Sequence, residues 1–71
     1  MRNTVDPISV IEGYRDSEVN NYRSRIHEAS VYLENDVVDV AYHHLSKATK
    51  HNQVISVLTA ILTDLKALEA S

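Results

Sequence analysis

The chain has 71 residues, no cysteine and a formal charge of −3, with 44% hydrophobic and 24% charged residues. This composition excludes a disulfide scaffold, a thiolate metal site and a disordered polyelectrolyte, and no stretch reaches the roughly 18 apolar residues of a membrane span. The acidic balance argues against general nucleic-acid binding, and a cysteine-free chain suits a reducing cytoplasm, the expected location.

The opening residues MRNTVDPISV lack the apolar core and small-residue cleavage site of a secretory signal, so no leader is expected. One glycine, Gly13, and one proline, Pro7, are too few for the closely spaced turns of an all-β fold. The chain therefore reads as all-α, a single helical domain over 1–71.

A first helix is predicted over 7–34. Asp6 can accept from the free N–H groups of the first turn, and the ring of Pro7 presets φ for the first helical position. Val5, Ile8, Glu12, Arg15, Val19, Tyr22, Ile26, Ala29 and Leu33 then recur three and four residues apart, one stripe of a coiled-coil-like helix. Glu12 and Arg15 interrupt its apolar character and Gly13 weakens the same turn, which leaves open a separate short helix or a frayed end before Asp16, with Asp16 or Ser17 recapping the main helix. The turn is placed at Glu34-Asn35-Asp36, with Asn35 in the left-handed conformation and Asp36 capping the next helix.

A second helix is predicted over 36–70. Its stripe is Val37, Ala41, His44 or Leu45, Ala48, His51, Ile55, Leu58, Leu62 and Leu65. The span 46–53 has no strong apolar residue and admits a break near 50–53, which would give three helices. Because neither Gly nor Pro marks that break, a long antiparallel hairpin is preferred.

A domain of this length buries only about 60% of the surface its unfolded chain exposes. Two helices with one apolar stripe each enclose no core, and two hairpins packed face to face do so as a four-helix bundle. A homodimer is therefore expected, with a seam of Val19, Tyr22, Ile26, Leu33, Ile55, Leu58, Leu62 and Leu65.

Chemistry is sparse. There is no phosphate loop, nucleophile elbow or cysteine, and no cofactor is expected. His44 and His51, seven residues apart, could converge on a metal across a symmetric dimer or simply form a polar layer. The spacing of a zinc-binding histidine pair is absent, and no metal is expected. Arg23, Arg25 and His27 fall level with His43, His44, Lys47, Lys50 and His51 across the hairpin, which reads as a basic belt. The expected function is a non-enzymatic helical protein that binds or regulates a larger protein as a homo-oligomer. Arg23, Arg25, His43, Lys47 and Lys50 are its candidate partner-binding residues. The alternative is a nucleic-acid-binding dimer using the same belt.

Overall fold

The computed structural model describes residues 6–70, which form two helices, α1 (Pro7–Glu34) and α2 (Val38–Ala70), packed as an antiparallel hairpin. Val5, the first residue of the stripe read from the sequence, lies outside the described residues.

The start of α1 follows from Asp6 and Pro7. Asp6 Oδ1 accepts the Ile8 N–H at 3.2 Å and Oδ2 accepts the Ser9 hydroxyl at 3.1 Å, with Pro7 in the first turn. The helix then runs unbroken through Gly13 over the predicted 7–34, without the separate short helix or frayed end weighed there. A missing side chain there costs up to about 1 kcal/mol, and packing of the same turns outweighs it: Ile8, Ile11 and Val19 are all drawn toward α2. The Glu12 carboxylate also meets Lys66 Nζ of α2 at 3.3 Å.

The turn sits where the sequence places it, but its residues exchange roles. Asp36 adopts the left-handed conformation, with φ 60°, while Asn35 remains at φ −101°. The Val37 N–H reaches back to the Tyr32 carbonyl at 2.8 Å and the Asp36 N–H to the Leu33 carbonyl at 3.1 Å. These two bonds make a Schellman closure, in which the residue after the cap must be left-handed. Asn35 instead turns its side chain back to donate to the Val31 carbonyl at 2.8 Å. Asp36 does not cap α2, which begins two residues later with Asp39 in its first turn.

Helix α2 is continuous through 46–53. The polar span holds because its inward positions are occupied: Ala48 is buried and His51 is bonded to Glu18 of α1 at 2.7 Å. Outward-facing Thr49 and Thr63 return their hydroxyls to the Leu45 and Thr59 carbonyls, which satisfies them without disturbing the helix.

The seam between the helices changes character along its length. Toward the turn the buried residues are Ala29, Ala41 and Ala48, small enough for the backbones to approach closely. Toward the open end Leu62 is buried, with Ile55, Leu58 and Leu65 half-buried around it. Close approach leaves room for long polar side chains at the flanks. Arg25 and Tyr32 turn inward beside Ala29, and Ile26 and Leu33, read from the sequence as stripe residues, lie to one side at 38% and 48% exposure. The result measures 54 × 27 × 13 Å, a slab one helix thick. Its radius of gyration of 16.5 Å compares with about 11 Å for a compact domain of this length.

Candidate functional site

The mid-seam polar residues form one connected group. His51 Nδ1–H donates to Glu18 Oε1 at 2.7 Å, and Asn21 donates to Oε2 of the same carboxylate at 3.3 Å. The His51 bond holds the Glu18 carboxyl below its ordinary value of 4.5, against the opposing effect of partial burial and with help from Asn21. One heptad nearer the turn, Arg25 Nη1 lies 2.9 Å from His44 Nδ1. A guanidinium can only donate, so this ring nitrogen is the acceptor of a neutral imidazole. The His44 ring stacks on Tyr32 with centroids 5.5 Å apart and planes 12° from parallel, and meets His43 edge-on at 5.8 Å.

Asn21, Arg25, Tyr32, His44 and His51 line an open cleft of about 620 Å³ together with Ser24 and Glu28. Arg25 and His44 are bonded to one another and Asn21 and His51 to Glu18, and the cleft holds no cysteine and no triad of nucleophile, base and orienting acid. Among the described residues, no three histidine or carboxylate side chains gather as a metal site, and His44 and His51 are each engaged by a residue of α1. What the group provides is a fixed alignment: the pairs 18–51 and 25–44 step by seven residues in opposite directions along the two helices. A polar layer of this kind costs stability but specifies register.

Compared with family models, curated proteins and solved structures, the chain matches none.

The arrangement of apolar side chains on the two broad faces of the slab is more informative. Residues seven apart stay on one side of a helix in a coiled pair. Pro7, Tyr14, Asn21 and Glu28 form such a row on α1, and members of it line two clefts. Asn21 and Glu28 line the polar cleft, while Pro7 lines a second groove of about 290 Å³ at the open end with Leu65 and Leu68. The two clefts therefore open on one face. The α2 row bordering that face is Val40, Lys47, Val54, Ile61 and Leu68. On this cleft face the open-end half is apolar, with Tyr14, Val54 and Ile61 exposed, and the half near the turn carries Asn21, Glu28 and Lys47 beside a half-buried Val40.

The opposite face is marked by the Glu12–Lys66 ion pair, which bridges the helices there. The rows containing those residues are Glu12, Val19, Ile26, Leu33 on α1 and Val38, Leu45, Asn52, Thr59, Lys66 on α2. Here the polarity is reversed, charged and hydroxyl residues at the open end and exposed Ile26, Leu33, Val38 and Leu45 near the turn. The molecule thus carries two apolar half-faces, diagonally opposed.

The residues singled out from the sequence distribute accordingly. Of the expected seam, Tyr22, Ile55, Leu58, Leu62 and Leu65 lie in or beside the seam within the hairpin, Val19 is half-buried at its edge, and Ile26 and Leu33 belong to the apolar half-face near the turn. The basic belt is not one surface. Arg25 is drawn into the seam, and Arg23, two residues and so about 200° around the helix, projects from the other side of α1. Lys47 flanks the cleft face, with His43 and Lys50 in the next row outward. Sequence reasoning passed over Glu18, Glu28, Tyr14, Val54 and Ile61. Heptad rows would have found the last four, because the second face becomes visible only when each helix is read as two flanking rows rather than one stripe.

Proposed function

We propose that this chain is a non-enzymatic helical interaction protein that works as a homo-oligomer and offers its remaining apolar surface to a larger protein. The distribution of apolar side chains carries this reading. The buried core consists of three alanines and one leucine, while tyrosine, leucine, isoleucine and valine side chains stand exposed in two ordered half-faces. The accessible area of 5357 Å² is about 900 Å² above that typical of a monomeric protein of this mass. A standard protein interface covers about 800 Å² on each partner, so one interface would bring the exposure to an ordinary level.

Two half-faces on opposite sides suit two different contacts, one to a second copy and one to the larger partner. Sedimentation equilibrium at micromolar concentration tests the first of these. The expected result is a dimer, and a stably folded monomer would overturn the reading.

A further inference from the structure

The homo-oligomer reading leaves open which face the second copy covers and in what direction it lies. We propose that the second copy covers the cleft face, with both hairpins pointing the same way and in register, related by a two-fold axis running along the rod. This inference rests on the homo-oligomer reading above.

The geometry of that symmetry is definite. Rotation about an axis parallel to the helices lays α1 of one copy over α2 of the other, so the row Tyr14–Asn21–Glu28 meets the partner's row of Ile61, Val54 and Lys47. Both rows are apolar at the open end and carry their charged residues, Glu28 and Lys47, toward the turn, where the α2 row ends on Val40. Tyr14 is level with residue 55, so its ring falls beside Val54 of the partner subunit on the side toward Ile61, and apolar surface covers apolar surface. Near the turn, the 18–51 and 25–44 pairs set Glu28 level with residue 41, so the partner's Lys47 lies six residues, about 9 Å, along the axis, and the two long side chains lean toward one another, each toward its own helix N-terminus. The symmetry generates this pair twice.

Neither Glu28 nor Lys47 has an ion partner within the hairpin among the described residues, whereas Glu12, Glu18 and Asp16 each have one. Two uncommitted charges of opposite sign therefore stand on the same face, at positions where a second copy in this orientation joins them. The opposite direction is disfavoured by the same rows. Two fully overlapped hairpins running in opposite directions lay α2 on α2, which sets Lys47 onto the partner's Ile61. Sliding them apart to avoid this gives up half of the contact. The helices that become neighbours in the proposed arrangement are antiparallel, so their dipoles also oppose favourably.

The test uses charge reversal in two separate variants, Glu28→Lys and Lys47→Glu, with association measured by sedimentation and folding by far-UV circular dichroism. Each variant alone sets two like-charged pairs across the interface and is expected to weaken self-association by about tenfold or more. An equimolar mixture forms a heterodimer in which both pairs are again opposite in sign, and association should return to the wild-type level. No contact within a single hairpin can produce that rescue, and it is readable even if the separate variants lose helicity. Dimeric wild type with no loss in the variants, or with loss but no rescue on mixing, overturns the proposed face and direction while leaving the homo-oligomer reading in place. Monomeric wild type overturns both.

Discussion

Asp36 sits in the left-handed region because the Schellman closure of α1 demands it there, although aspartate is only tolerated in that conformation. Asp36→Gly should therefore raise stability by about 0.5–1 kcal/mol, the relief of side-chain strain less the extra chain entropy of glycine. In a domain of this size that is a rise of a few degrees in Tm (about 4–8 °C per kcal/mol), and no rise would mean the closure is not formed. Glu18 gives a second prediction. Its carboxyl is held below 4.5 chiefly by the His51 hydrogen bond, so that bond's contribution through the Glu18 carboxylate is present above that pH and is lost as the pH falls through the lowered value. Glu18→Gln should lower Tm at pH 7, with the gap to wild type closing at pH 3. A gap of the same size at both pH values would show that the carboxylate's charge is not what His51 holds.

At the scale of the elements, the helix bounds were largely legible and the helix faces were not. Asp6-Pro7 announces the start of α1, and the three-and-four spacing carries both helices to their ends. The interruptions weighed at Gly13 and near 50–53 rest on local propensity, and both yield to packing across the seam. The inward rotation of Arg25 and Tyr32 was hidden for a related reason. An apolar side chain is the natural inward choice, so Ile26 and Leu33 read as stripe residues. Only the closeness of the backbones at Ala29, Ala41 and Ala48 makes the flanks the place for long side chains that His44 can satisfy. That closeness is testable. Ala48, 2% exposed, has no room for a larger residue, and Ala48→Leu should cost about 1–3 kcal/mol by overpacking, measured by urea unfolding. An unchanged midpoint would mean the helices stand further apart.

At the scale of the whole molecule, the proposed second copy was already suggested by length and composition, because a chain of this size with no cysteine has few other ways to complete a core. The pair of diagonal half-faces was not, since it depends on which rows flank the seam once the Glu18–His51 and Arg25–His44 pairs have fixed the register. In the proposed dimer one half-face is buried and the other, with Ile26, Leu33, Val38 and Leu45, is the surface proposed for a larger partner. If folding and association are linked in this way, stability depends on protein concentration by mass action. The most direct test is therefore thermal unfolding, followed by helicity, over a hundredfold range of concentration. The account predicts a Tm that rises steadily with concentration; a Tm that stays fixed across the range, with cooperative unfolding, would contradict it.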